Sequence, residues 1–284
     1  MAQSTNEIKQ RIRGISNTMK ITKAMELVST AKMRKSRIQL EKSRPYYTTV
    51  LSSINRVLAN SNINHPLLEK REVKKSLYIV ITSDKGLAGG YNSNINRLVH
   101  SEYENNKDKI CLITVGTKAK DFFSRRGYEI IADFKEISEE PTFSDARLIG
   151  DIATELYKEK KVDEIKVVYT EFVTTLSYKP TVMKLLPADL SGDDEDVRNS
   201  LIEFEPSPEV ALDYLIPKYI DSSIFGALIE GSASEQASRR TAMKAATENA
   251  EEMIEELNMT YNRARQAAIT MEISEIVSGA DALK

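Results

Sequence analysis

The segment Asp84-Lys85-Gly86-Leu87-Ala88-Gly89-Gly90-Tyr91-Asn92 lies between an apolar run and a helical one. Exposed amides and a helix dipole at such a turn favour anions. The spacing argues for something simpler. A dinucleotide fingerprint requires G-x-G-x-x-G, and a phosphate loop requires G-x-x-x-x-G-K-[ST]. Here the glycines stand at 86, 89 and 90, with no Lys-Ser/Thr pair behind them. A tight strand-to-helix turn is the better account. Imidazole chemistry has only His65 and His100 to draw on, and Cys111 is the single cysteine. One cysteine excludes an internal disulfide and a cysteine-based zinc cluster. The run Ile110-Cys111-Leu112-Ile113 reads as a buried strand, without the cationic, exposed setting of a reactive thiol. Glu248, Glu251, Glu252, Glu255 and Glu256 share one helical face, which reads as solvated. No nucleophile stands beside a general base. The sequence is therefore read as having no catalytic residue, no cofactor-binding residue, no metal ligand and no cofactor.

Charge is where the chain is distinctive. Between Lys9 and Arg44 eleven Lys and Arg residues face only Glu26 and Glu41, a balance of +9 in a chain whose net charge is -2. So basic a helix requires an anionic partner: nucleic acid, acidic lipid or an acidic protein surface. The arm lacks the aromatic residues that stack on bases, and its apolar stripe suits a partner helix. An acidic protein sleeve fits best, and a basic coiled-coil nucleic-acid-binding protein is the alternative reading.

The bulk numbers set the frame. The 284 residues, 41% hydrophobic and 29% charged, make a core-forming chain with a large wetted surface. Aromatics are only 7% and tryptophan is absent, which points to elongation. No segment approaches the roughly 18–20 consecutive apolar residues of a bilayer span, and no signal-peptide core opens the chain.

Two helical arms must position these charges. From Ser4 to Leu58 the only breakers are Gly14 and Pro45. Ile8, Ile12, Ile15, Met19 and Thr22 follow a coiled-coil seam, continued through Met25, Val28 and Ala31. Ser4 or Thr5 can cap the start. Fifty residues of helix would reach about 75–80 Å, and Pro45 is expected to kink it or end its straight part. The last arm, Pro208 to Ser278, has Pro217, Gly226 and Gly231 as weak points. Its seam is read as Met243, Ala246, Ala250, Met253, Leu257, Tyr261, Ala264, Ala268 and Met271. The two seams can satisfy each other as an antiparallel pair.

Between the arms the period changes. Strands are predicted at Ser76–Thr82, Lys109–Val115, Tyr128–Asp133 and Glu164–Glu171, with an edge strand at Val182–Leu186. Helices are predicted at Asn92–Asn106, Thr117–Arg125 and Ser144–Lys160, and the acidic stretch Ser191–Val197 as a loop. This alternation indicates a parallel sheet covered on both faces. The fold class is thus α/β plus a long antiparallel coiled coil: a small Rossmann-like domain at 61–206, inserted between arms at 1–60 and 207–284.

Specific motifs resemble one family. Ile21-Thr22-Lys23-Ala24-Met25-Glu26-Leu27-Val28 with Ala31-Lys32-Met33-Arg34-Lys35 is similar to the amino-terminal arm of gamma subunits of F-type ATP synthases, bacterial type. The stretch from Arg263 to Ala280, RARQAAITMEISEIVSGA, resembles that family's carboxy-terminal signature. The loop after Asp84 and Ala233-Ser234-Glu235-Gln236-Ala237-Ser238-Arg239 match between them, so the resemblance spans the chain in order.

The resemblance implies a noncatalytic rotor shaft. It would occur as a single copy inside a hexamer of alpha and beta subunits, near an epsilon subunit and a ring of c subunits. It would be peripheral to the cell membrane on the cytoplasmic side, without membrane insertion and without a nucleic-acid partner. By motif, Lys23, Met25, Lys32, Arg34 and Lys35 are expected to face the catalytic subunits, and Lys85 lies on a loop reaching toward the base of the hexamer. Arg239, Gln266, Thr270 and Glu272 match polar contacts of the upper shaft, and Glu203, Phe204 and Glu205 a region close to the c ring. Ala88 stands where several relatives carry cysteine, and no cysteine pair of the chloroplast redox-regulated type is present, so no thiol switch is expected.

Overall fold

A computed structural model of the chain describes residues 5–59, 65–174, 177–188 and 207–281. The elements run α1 (Thr5–Ala59), β1 (Ser76–Ile81), α2 (Tyr91–Tyr103), a 3-10 turn (Lys107–Lys109), β2 (Ile110–Val115), α3 (Thr117–Ser124), β3 (Ile130–Phe134), α4 (Phe143–Lys158), β4 (Glu164–Phe172), β5 (Tyr178–Leu186) and α5 (Pro208–Asp281). They fall into two compact units. One joins the residues up to Ser29 with those from Arg240 onward; the other is Thr30–Arg239. The units therefore divide inside both long helices, because the inner halves of α1 and α5 pack on the sheet.

In the Thr30–Arg239 unit the strand order is β3-β2-β1-β4-β5, all parallel except the antiparallel edge strand β5. Every residue of β1 and β2 is buried, as continuous apolar runs require when helices cover both faces. Tyr78, Val80 and Leu112 pack against Ile95 and Val99 of α2 and Phe123 of α3. Leu77, Ile79 and Ile113 pack on the other face against Ile149 of α4, Ile54 of α1 and Ile220 of α5. The result is Rossmann-like. Cys111 is fully buried in β2, and burial pushes its thiol up to about 11. Gly116 follows β2 at φ +87°, where a Cβ would come within 2.3 Å of the Thr82 carbonyl oxygen. Only glycine lets the β1 and β2 ends approach so closely.

Two local readings change, and Pro45 lies inside a continuing helix. The edge strand begins at Tyr178 rather than Val182; Lys179, Pro180 and Thr181 hide its pattern, and an edge position tolerates the proline's missing donor. Helix α2 stops at Tyr103, before the Asn105-Asn106 turn. Pro45 does not end α1, which runs through it unbroken. The carbonyl its ring leaves without an amide donor is that of Glu41, an exposed residue with water at hand. Ser4 and the acidic stretch 191–197 lie outside the described residues.

Both seams also shift. Along α1 the inward positions are Ile8, Ile12, Ile15, Met19, Thr22, Glu26, Ser29, Met33 and Ser36, an unbroken seven-residue repeat. The sequence reading took three steps of three after Thr22, through Met25 to Val28 and Ala31, and so left this face. Val28 is 55% exposed and Ala31 is exposed, while the Glu26 side chain is only 13% exposed. In α5 the inward positions are Met243, Thr247, Ala250, Ile254, Leu257, Tyr261 and Ala264, so Ala246 gives way to Thr247 and Met253 to Ile254. Ala268 and Met271 are exposed.

Candidate coupling surfaces

The glycine loop is held from three sides. The Asp84 carboxylate accepts from the backbone and hydroxyl of Thr117 (3.0 and 2.9 Å), the Glu136 amide (3.0 Å) and the Ser138 hydroxyl (2.9 Å), tying together the loops after β1, β2 and β3. A carboxylate so saturated is structural. Asn92 Oδ1 accepts from the Ser83 amide at 3.0 Å and closes the turn. At the tip Leu87 adopts φ +63° and is 63% exposed. Such backbone conformations in a non-glycine residue mark places where strain is kept for a purpose.

Helix α5 fastens the same loop. Ser238 Oγ donates to the Ala88 carbonyl at 2.6 Å, and Arg239 Nη2 to the Gly86 carbonyl at 3.3 Å. Arg239 is 6% exposed and lies 2.7 Å from Glu235, which is fully buried. The pair is in contact but off hydrogen-bond alignment, and neither Glu235 oxygen has a hydrogen-bond partner. Burial raises the Glu235 pKa, with Arg239 opposing it. The Arg239 side chain thus points at the loop rather than outward.

Three more of the basic residues meet acids of the β3–α4 connection. Lys32 and Lys85 share the carboxylate of Glu139 at 2.7 and 3.0 Å, and Lys35 pairs with Glu140 at 2.8 Å. Hydrogen bonding to Lys32, and then to Lys85, lowers the Glu139 pKa. Arg34 is exposed. The Thr30–Arg239 unit therefore gathers Lys32, Lys35, Lys85 and Arg239 around one pair of loops. No pattern of spacing in the sequence brings Glu139 to two lysines so distant from it along the chain.

The other unit holds Lys23, Met25, Gln266, Thr270 and Glu272. Lys23 pairs with Glu26 at 2.9 Å, and Met25 is half-buried. The Thr22 and Thr247 hydroxyls are 2.8 Å apart. Seventeen residues back from Thr22 along α1 and seventeen on from Thr247 along α5, Thr5 stands level with Ala264. From Arg265 to Gly279 every residue is exposed. Gln266, Thr270 and Glu272 lie on this segment, with Thr270 Oγ1 donating to the Gln266 carbonyl at 2.9 Å. So do Ile269, Ile273, Ile276 and Val277, an apolar stripe at helical spacing that is 44–66% exposed. Glu203, Phe204 and Glu205 lie outside the described residues. Among those described, no helix is long and apolar enough to cross a membrane.

Comparison with known proteins accounts for this arrangement. The family described as ATP synthase matches residues 4–283. The ATP synthase gamma chain of Alkaliphilus metalliredigens is 50% identical over all of both chains. The sodium ion specific ATP synthase gamma chain of Acetobacterium woodii is 44% identical, again over all of both chains. A chain of the central stalk and c ring structure of Tetrahymena thermophila mitochondrial ATP synthase is 29% identical with a TM-score of 0.63, covering 80% of this chain and 99% of that one. A chain from the Euglena gracilis mitochondrial ATP synthase shares the fold, with a TM-score of 0.73 at 20% identity over 98% of this chain and 94% of that one. The chain belongs to the ATP synthase gamma chain family.

Proposed function

We infer that this chain is the central rotor shaft of an F-type ATP synthase, a noncatalytic subunit that couples ion-driven rotation of a c ring to ATP synthesis at the beta subunits of an alpha/beta hexamer. The observation that carries the reading is the stretch of α5 beyond Ala264. A helix with no described α1 residue level with it and an apolar stripe 44–66% exposed calls for an enclosing partner. Two helices of unequal length have no threefold symmetry. A single copy therefore presents a different face to each of three identical neighbours and biases each toward a different conformation. Full-length identity to gamma chains supports the same role. The nucleic-acid alternative finds no support in these relatives, and Lys32 and Lys35 of its basic arm are already paired within the chain.

The contact residues divide by their surroundings. Lys23, Arg34, Gln266, Thr270 and Glu272 are exposed and act by direct contact with the hexamer; Met25, half-buried, borders that surface. Lys32, Lys35 and Lys85 meet it as a mixed-charge strip with Glu139 and Glu140. Arg239 acts through the loop it holds, presenting Leu87. The epsilon subunit as a partner, the c ring as the partner of Glu203, Phe204 and Glu205, and a peripheral place on the cytoplasmic side of the cell membrane rest on the motif resemblance. Native mass spectrometry of particles co-purifying with a tagged copy is the test. One copy with three each of two larger subunits is expected; a bare monomer, homodimer or nucleic-acid complex would overturn the reading.

A further inference from the structure

A cavity on the α4 side of the sheet belongs to none of these surfaces. Its volume is about 530 Å³, within the roughly 300–1,000 Å³ of small-molecule sites. It lies wholly inside the Thr30–Arg239 unit, walled by Tyr47 of α1, Phe143 of α4, Tyr169 of β4 and Phe225 of α5.

Two features make it more than a packing gap. Gly226 sits inside α5, where glycine costs about 1 kcal/mol against alanine, yet a Cβ built there meets nothing within 4 Å. Packing does not demand the glycine, and the space stays open. One turn further on and on the same helix face, Glu230 lines the cavity, and its Oε2 is shut from water with no hydrogen-bond partner. Burial, and then Glu171, raises the Glu230 pKa, with the Phe172 amide and Arg44 opposing. A buried carboxylate oxygen without a donor is costly, and a donor placed in the cavity would relieve it.

We propose that this cavity binds a small amphipathic amine, its ammonium on the Glu230 carboxylate and its apolar body against the rings of Tyr47, Tyr169 and Phe225. Aromatic faces attract cations. The last torsion of a glutamate side chain is broad, so Oε2 turns toward an entering donor at little cost. Arg44, exposed at the rim, has water to turn to. The inference does not depend on the rotary reading.

The test uses the full chain with 2-naphthylmethylamine as probe and 2-naphthalenemethanol as its neutral counterpart, followed by naphthyl fluorescence anisotropy; the chain has no tryptophan to interfere. The amine should bind about tenfold more tightly than the alcohol, as a desolvated ammonium on a carboxylate and aromatic faces allows. Glu230→Gln should erase that preference while leaving the alcohol unaffected. Gly226→Leu should weaken both by filling the space. Equal affinities for amine and alcohol, an undiminished preference in Glu230→Gln, or no binding of either probe would overturn the proposal. Glu230→Gln relieves an uncompensated charge and keeps its fold, so its result stands even if the leucine variant unfolds.

Discussion

Thr22 of α1 and Thr247 of α5 bring their hydroxyl oxygens to 2.8 Å across the seam, and they cannot satisfy every bond within reach. Each hydroxyl is also placed on a carbonyl of its own helix, Met19 at 3.0 Å and Met243 at 2.9 Å. Two hydrogens serve three bonds, so one threonine must release its own helix to reach the other. The pair is a register mark: it joins the two helices at one rung of a repeat that apolar side chains alone would let slide.

Replacing one of these residues by valine should therefore cost more than replacing both. Thr22→Val alone leaves the Thr247 hydroxyl donating to the Met243 carbonyl but takes the donor from its lone pairs in the seam, for up to about 1 kcal/mol. Thr22→Val with Thr247→Val removes both polar groups at nearly constant shape and should come out close to neutral. Thermal unfolding of the two single variants and the double variant closes the cycle. Additive losses would show that the hydroxyls do not interact.

Arg239→Ala should be the most damaging single change among the predicted contact residues. It leaves the buried Glu235 carboxylate without the cation beside it, a situation that costs about 3–5 kcal/mol. The pH dependence has a definite sign. Burial already raises the Glu235 pKa above 4.5, and Arg239 is what restrains it. The folded variant then binds the extra proton, so its stability is highest below the ordinary carboxylate range and falls as pH rises through the raised folded value. Glu235→Gln added to Arg239→Ala should flatten that slope. A flat profile in Arg239→Ala itself would mean Glu235 is solvated.

What was legible in the sequence follows from what periodicity can see. The strands at Ser76 and Ile110 were readable because a fully buried strand is a continuous apolar run. The long helices were readable from the near-absence of breakers. The seam was misread at Glu26 and Thr247, where the inward residue is polar and the apolar Met25 and Ala246 stand beside it. An apolar count follows the wrong neighbour there. Arg239 and Glu235, four residues apart, look like an ordinary surface pair on a helix; only the fold shows that the sheet and the glycine loop bury them. Glu139 was invisible as a site because its meaning comes from Lys32 and Lys85, brought to it by different elements.

Glu139→Gln should loosen the mixed-charge strip by less than about 1 kcal/mol, since Lys85 is 70% exposed and such pairs are screened. Its carboxyl is held below the ordinary range, first by Lys32. The contribution is thus present above pH 4.5 and is lost as pH falls through the lowered folded value. Denaturant midpoints for wild type and Glu139→Gln should converge in acid and at high salt. A difference that persists in strong salt would assign the Glu139 side chain a role beyond screened charge.

The tip of α5 allows stability and coupling to be separated. Ile273 and Ile276 are 56% and 66% exposed, so Ile273→Asp with Ile276→Asp removes no packing from the chain itself. The melting behaviour of the free chain should stay within about 0.5 kcal/mol of wild type, as for ordinary surface changes. In the assembled complex the same two carboxylates would have to be buried without partners, at a cost of several kcal/mol. The complex should then hydrolyse ATP with poor ion pumping, because the shaft no longer seats in its sleeve. Assaying both activities on one preparation gives the ratio. Pumping in proportion to hydrolysis would remove the stripe from the coupling surface, and a fall in free-chain stability would show that it packs within the chain.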